Sequence, residues 1–384
     1  MAGVVGVEGT GKTEAVGQML ERIAHRGESG AKIIERHGST LGAVWSEPEA
    51  ETVPTVLLQQ AAWDGSHPPL PHRSALERVR RPFALTAAKR DGVFAARDPL
   101  GVCPLYYGRT DDGDLCFASE AKALLGVTED VQEFPPGAWY DTQGGFQTFF
   151  EAERRHQLNA DPGQIAAELR RRLEQAVSRR IRQDAVGCWL SGNLASCSLA
   201  GLARPGVKEL HTIAVGTPGT PDLEYAQQVA SYLHTEHPET TILLDEVLSP
   251  LPAVIWHLES FDVPLVRSSV ARYLAAERAS GYVETMLFDE GAEQLFAGPA
   301  QTQASEPGTR VDFAAETVKS LHRAALQRVD RSASAQGLVA QLPFLDLDLF
   351  EYAISIPAEL KLRRNGTTVD KWILRQALSG VLPE

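Results

Sequence analysis

Two stretches of this chain carry residue types and spacing suited to holding a phosphate. Residues 6–13 (GVEGTGKT) satisfy the pattern G-x-x-x-x-G-K-T and follow an apolar, strand-like run at residues 2–7. In such a loop backbone N–H groups cradle the phosphate oxygens and the lysine, here Lys12, reaches the terminal phosphates. Far downstream, Thr285-Met286-Leu287-Phe288-Asp289-Glu290 imitates the apolar strand ending in carboxylates that would hold magnesium beside that loop. The second stretch is residues 189–197 (WLSGNLASC), at the C-terminal end of another strand-like run, where α/β folds bind their ligands. A Ser/Gly turn opening a helix aims free backbone N–H groups at one point and suits an anion such as pyrophosphate. The same residues also suit an ordinary strand-to-helix turn capped by serine.

Other candidates point to simpler roles. Cys103, Cys116, Cys188 and Cys197 form no C-x-x-C pair and read as buried thiols, with neither a disulfide framework nor a zinc site implied. His234 and His237 flank Glu236 at a helix end without a second ligand cluster, so no metal site is expected. Over 384 residues the formal charge is −13, which argues against a nucleic-acid-binding surface. A hydrophobic content of 43% and charged content of 23% fit a soluble globular chain. No apolar run reaches the length of a membrane span and no signal peptide stands at the start, so no membrane contact and a cytoplasmic location are expected.

The elements that must position these residues fall into two patterns. Residues 1–150 contain short strand-like runs, at 83–87, 93–97, 104–107 and 115–118, with helical character only at 14–25 and 74–79. This predicts stacked antiparallel sheets with a helix or two outside. From residue 161 the pattern changes. An amphipathic helix begins at Pro162, with Ile165, Leu169, Leu173, Val177 and Ile181 on one face. Strands at 185–190, 210–215, 240–244 and 285–288 then alternate with helices at 223–233, 254–258 and 269–279, which predicts a parallel α/β sheet across 161–384. The tail from residue 311 reads as mostly helical.

Taken in order, several motifs resemble those of the asparagine synthetase family. Ala95, Arg97-Asp98-Pro99-Leu100-Gly101 and Pro104-Leu105-Tyr106-Tyr107 are similar to A-R-D-x-x-G-x-x-P-L-Y-Y. Phe117-Ala118-Ser119-Glu120 with Lys122-Ala123-Leu124 resembles F-A-S-E-x-K-A-L, and Pro135-Pro136-Gly137 follows. Ser191, Gly192 and Ser196 match three positions of the loop S-G-G-x-D-S, while Asn193 stands for a glycine and Ala195 for the aspartate that holds magnesium on the pyrophosphate. Residues 288–298 (FDEGAEQLFAG) resemble S-G-E-G-A-D-E-L-F-G-G, residues 261–269 a substrate-side loop, and Lys371-Trp372-Ile373-Leu374-Arg375 the run K-W-I-L-R.

The resemblance implies an N-terminal Ntn-type (class II glutamine amidotransferase-like) αββα domain over 1–150 and a C-terminal ATP-pyrophosphatase (PP-loop) α/β domain over 161–384, an α+β and an α/β fold in one chain. It implies ATP binding at Ser191, Gly192 and Ser196. Glu290 takes the place of the acceptor of the amine proton, Lys371 that of the lysine stabilising charge on the acyl-phosphate, and Arg267 that of a motif arginine. It also shows what is missing. The family's nucleophile is an N-terminal cysteine, and residue 2 is Ala. The arginine expected within Leu41-Gly42-Ala43-Val44-Trp45 and the N-G-E oxyanion motif are both lacking. Phe288 and Asp289 replace a small pair beside the nucleotide, with Phe288 expected to fill its space and Asp289 to repel phosphate. The expectation is a pseudoenzyme without glutaminase activity. Its use of ATP and Mg would be weakened or lost, and it would bind a protein partner or a second copy. An ammonia- or amine-dependent ligase and a P-loop ATPase through residues 6–13 stand as alternatives.

Overall fold

The computed structural model describes residues 2–46, 73–89, 92–153, 156–237, 239–241, 247–296, 320–365 and 367–382. The chain divides into two compact units, residues 1–151 with 334–339, and residues 152–333 with 340–384.

Among its described residues unit 1 has ten strands: β1 (Gly3–Glu8), β2 (Gly30–Arg36), β3 (Ser39–Trp45), β4 (Ala84–Lys89), β5 (Gly92–Arg97), β6 (Tyr106–Arg109), β7 (Leu115–Ala118), β8 (Gln132–Glu133), β9 (Ala138–Asp141) and β10 (Gly145–Thr148). They form a six-stranded sheet in the order β2-β3-β1-β7-β6-β8 and a four-stranded sheet in the order β10-β9-β5-β4. The pairing is antiparallel, with Gly3 opposite Val44 and Val5 opposite Ala118. Because side chains alternate along a strand, each sheet has two apolar faces. Val4, Leu41, Ala43, Leu115 and Phe117 from one sheet meet Ala88, Val93, Ala95 and Tyr140 from the other. On the far face Val5, Val7, Val44 and Cys116 pack against helix α1 (Thr13–Arg22) through its Val16, Met19 and Leu20. On the opposite outer face Ala87, Phe94 and Ala96 pack with Leu76 of the short helix Arg73–Leu76. The layers are therefore helix, sheet, sheet, helix.

Unit 2 begins with helix α2 (Pro162–Ser178). Asp161 caps it by accepting from Gly163 N at 2.8 Å, and Pro162 sits in its first turn, where no N–H is needed. Its stripe of Ile165, Leu169, Leu173 and Val177 is buried. Among the described residues the main sheet of unit 2 has five strands, β11 (Ala185–Trp189), β12 (Glu209–Gly216), β13 (Glu239–Thr241), β14 (Thr285–Leu287) and β15 (Val339–Gln341), in the order β13-β12-β11-β14-β15. β11 runs parallel to both β12 and β14, and β12 parallel to β13. The connecting helices are α3 (Leu194–Ala203), α4 (Pro221–Leu233), α5 (Leu251–Leu258), α6 (Val263–Ser280) and α7 (Ala292–Phe296). After β15 come α9 (Leu347–Ser355) and α10 (Trp372–Ala377), and before it α8 (Ala325–Ser334).

The tail differs from its mostly helical expectation by β15 and by a two-stranded antiparallel sheet of Arg363–Asn365 with Thr367–Val369, three-residue strands too short to show a period in sequence. Helix α6 starts earlier than residue 269, because Asp262 caps it through Leu265 N at 2.8 Å and Pro264 fits its first turn. Residues 242–244 of the expected third strand, and 297–298 and 311–319, lie outside the described residues. No helix among the described residues is long and apolar enough to cross a membrane.

Candidate functional site

From β11 the chain leads to β12 on one side, while β14 leads to β15 on the other, so the direction of winding reverses between β11 and β14. In an open parallel sheet that reversal leaves a crevice at the C-terminal strand ends. The loops bordering it are residues 190–193 after β11 and 288–291 after β14.

The first loop brings Ser191, Gly192 and Ser196 into a single turn. Gly192 has φ of 75°, and a Cβ there would lie 2.2 Å from the backbone oxygen of Asp222 in the first turn of α4. Only glycine satisfies both the left-handed backbone and that approach. Asn193 is the N-cap of α3, its Oδ1 accepting from Ser196 N at 2.9 Å. The fully buried Ser196 hydroxyl accepts from Ser191 N at 3.1 Å and lies 3.0 Å from Ser191 Oγ. The loop thus satisfies the N–H groups of Ser191 and Ser196 with its own side chains. Ala195, buried beside them, offers no oxygen.

The second loop faces the first. Phe288 is fully buried, with its N–H donating to Gln341 O of β15 at 2.9 Å. Asp289 is 9% exposed, and Asn193 Nδ2 donates to its Oδ2 at 3.0 Å, joining the two loops across the crevice. Burial pushes the Asp289 carboxyl up to about 6, and the neighbouring Glu290 charge adds to this. Arg272 and the Asn193 hydrogen bond pull it back.

Glu290 is enclosed by two guanidinium groups. Its Oε1 accepts from Arg272 Nη2 at 2.5 Å and from Arg328 Nη2 at 3.1 Å. Arg328 Nη1 donates to Ser268 Oγ at 3.0 Å, and Arg272 lies over the Trp189 ring, 5.5 Å from its centroid. Burial, with Arg272 next to it, pushes the Arg328 guanidinium down from its ordinary value. Glu290 Oε2, Arg272 Nε and Arg328 Nε are buried without a hydrogen-bond partner among the described residues. For the proton acceptance expected of Glu290, Oε2 is therefore the oxygen left over.

Lys371 is buried and starts α10 in the left-handed region at φ 52°, a conformation that costs a non-glycine residue roughly 1 kcal/mol or more. Its Nζ lies 3.5 Å from Glu293 Oε1. Arg267 is exposed and makes no hydrogen bond or ion pair among the described residues. The arginine that α6 brings to Glu290 is Arg272. Ser268 and Arg272, one turn apart on α6, form a face that the sequence carried, but nothing local pointed to Arg328 on α8 or to the pairing of Asn193 with Asp289. Among the described residues no group of three or more His, Cys, Asp or Glu could hold a metal ion.

In unit 1, residues 6–13 do not build the phosphate loop their pattern allows. β1 lies in an antiparallel sheet, between β3 and β7, and not in the parallel sheet that such loops terminate. The chain's own carboxylate fills the turn: Gly11 N and Thr13 Oγ1 donate to the two oxygens of Glu35, each at 3.2 Å. Lys12 Nζ pairs with Asp114 at 3.1 Å and Asp112 at 3.4 Å. Ala2 and Trp45 both pack on the core between the sheets, and the Trp45 ring covers Gly30, its cross-strand partner on β2. Residue 2, where the nucleophile is expected, presents a methyl, and β3, where the arginine is expected within residues 41–45, carries no cationic side chain.

These two units define an Ntn-type glutamine amidotransferase-like fold joined to an ATP-pyrophosphatase-type α/β fold. The "Asparagine synthase" family profile matches residues 168–317 and 303–384, more than half of the chain, and a "Glutamine amidotransferase domain" profile matches residues 72–126. The chain belongs to the asparagine synthase family. It is 36% identical to a probable glutamine-hydrolysing asparagine synthetase of Schizosaccharomyces pombe, over 75% of this chain and 56% of the relative. It is 32% identical to asparagine synthetase 2 of Arabidopsis thaliana, over 77% of this chain and 54% of the relative. It is also 32% identical to asparagine synthetase B of Escherichia coli, over 78% and 58% respectively. The chain spans little more than half the length of these relatives.

Proposed function

We propose that this chain is a pseudoenzyme of the asparagine synthase family. It lacks glutaminase activity, is impaired in ATP-dependent amide synthesis, and serves as a binding or regulatory protein toward a protein partner or a second copy of itself. The observation that carries this reading is the Asn193–Asp289 hydrogen bond of 3.0 Å across the crevice. The family implies ATP with magnesium at this loop, and the residues present do not fit that group. A buried carboxylate borders the place of the phosphates, the N–H groups of Ser191 and Ser196 are already satisfied, and the Ala195 side chain brings no ligand for the metal. Metal clamping of phosphates contributes several kcal/mol in the transition state, which two loop hydroxyls do not replace. Ala2 and the lack of an arginine within residues 41–45 support the loss of glutamine hydrolysis independently, since a methyl has no nucleophilic atom and that strand offers no cation to a glutamine carboxylate. Calorimetric titration with ATP, with and without magnesium, tests the reading. Magnesium-dependent binding at ordinary nucleotide concentrations overturns it.

A second reading, an amine-dependent ATP-using ligase, is favoured by Lys371. A buried lysine held in a left-handed backbone is a strained arrangement of the kind kept at working sites. Pyrophosphate release on incubation with ATP, an acid and ammonia, lost in Lys371→Ala, would establish it.

A further inference from the structure

Two departures from the family's residue pattern, Asn193 for a glycine and Asp289 for a small residue, lie 96 positions apart in sequence and bond to each other. Their atoms meet across the crevice at the N terminus of α3, a ten-residue helix whose dipole favours an anion there. We propose that Asp289 is a built-in anion: held by Asn193, its carboxylate stands where a ligand's phosphate would stand and sets the loop's specificity against diphosphates. This deepens the reading above, on which it rests for the identity of the crevice.

The surrounding charges are arranged for a resident carboxylate. Arg272 lowers the cost of ionising Asp289, and Arg328 also feels its charge. The same two guanidiniums engage Glu290, so neither stands unpaired for an incoming polyanion. The charge of Asp289 also acts on the thiols of Cys188 on β11 and Cys197 on α3. Burial pushes both up, Cys197 to about 11, so they stay uncharged near neutral pH. Asp222, at the start of α4, adds a further acidic group by the loop. Asp289 and Glu290 are thus the carboxylates on the β14 side, with Asp222 on the α4 side.

The experiment titrates inorganic pyrophosphate, without metal, into the full chain and into Asp289→Asn, Asp289→Ser and Asn193→Gly. Asp289→Asn keeps the shape and an acceptor for Asn193 while removing the charge. It is expected to tighten pyrophosphate binding by about tenfold or more at low salt, since one unit charge at close range acts strongly in this partly buried setting. Asp289→Ser should do the same. Asn193→Gly, which frees the carboxylate without removing it, should gain less. Between about pH 8 and about pH 5 the ratio of variant to wild-type affinity should close toward one as Asp289 takes up a proton, whatever the ligand's own titration does. Equal affinities of wild type and both folded Asp289 variants near pH 7.5, or a ratio independent of pH, overturn the proposal. Should Asp289→Asn not fold, Asp289→Ser and the wild-type salt dependence decide: a wild type that binds pyrophosphate as tightly as Asp289→Ser overturns it. A wild type that binds ATP, with still tighter binding in the variants, sinks the pseudoenzyme reading and leaves the built-in anion standing.

Discussion

Replacing Asp289 with asparagine should make the protein more stable at neutral pH and leave it nearly unchanged in acid. The carboxyl is 9% exposed and is pushed from an ordinary value of 3.8 up to about 6, chiefly by burial and next by Glu290. A group with a raised folded-state value binds its proton more tightly in the folded chain than in the unfolded one. Below about pH 4 both states are protonated and ionisation costs nothing. As pH rises from about 4 to about 6 the unfolded state ionises first, and stability is lost until both states are ionised. Two pH units correspond to ~3 kcal/mol, the most the aspartate can cost at pH 7. Asparagine keeps the contact with Asn193 and carries no charge, so it should recover roughly 1–3 kcal/mol of this, about 3–10 °C in a unit of this size. Thermal melts of both proteins across about pH 4 to pH 8, followed by circular dichroism, provide the measurement. A difference in melting temperature that is flat with pH, or that favours wild type at pH 7, would refute the argument that burial of this carboxylate is a net cost.

Gly192→Ala should destabilise unit 2 by about 2 kcal/mol or more, because it meets both a left-handed φ and a backbone oxygen at 2.2 Å; an unchanged denaturation midpoint would contradict this. Lys371→Gly relieves the strain at φ 52° but also removes a buried side chain and its pairing with Glu293, so its melting temperature should fall less than that of Lys371→Ala, which loses the same side chain and keeps the strain; an equal or larger fall would contradict this. In unit 1, Glu120 is fully buried and pairs with Arg26, Lys122 and His25, the last at 3.0 Å. Glu120→Gln leaves buried cations without their counter-charge and should cost about 3–5 kcal/mol in urea unfolding. Lys12→Ala breaks only exposed pairings with Asp112 and Asp114, so a stability change within about 1 kcal/mol and unaltered nucleotide binding are expected; loss of ATP binding in this variant would restore the phosphate-loop reading of residues 6–13.

The layered architecture was legible because it rests on local patterns. The strand-like runs at 2–7, 83–87, 93–97 and 115–118 correspond to β1, β4, β5 and β7, whereas β2 and β3 were not among the expected strands. Spacing of four along α2 foretold its buried stripe, and the Ser/Gly turn after β11 did open a helix at a strand end. The site was legible only in part. Ser191, Gly192 and Ser196 are near neighbours in sequence, and their turn follows from local backbone needs. Arg272 and Arg328 reach Glu290 from helices 18 and 38 residues away, and no periodicity encodes such a meeting.

By itself the sequence determined which atoms are present: a methyl at residue 2, an indole at 45, an alanine at 195 and a carboxylate at 289. It also determined, through side-chain period, which faces would be buried. Only the tertiary structure decided what residues 6–13 are, since a phosphate loop and this loop share a pattern and differ in whether the strand before them is parallel to its neighbours. Only the tertiary structure joined Asn193 to Asp289. Charge and hydrogen bonding act over a few ångströms of space, and the reversal of strand order between β11 and β14 places those two loops side by side.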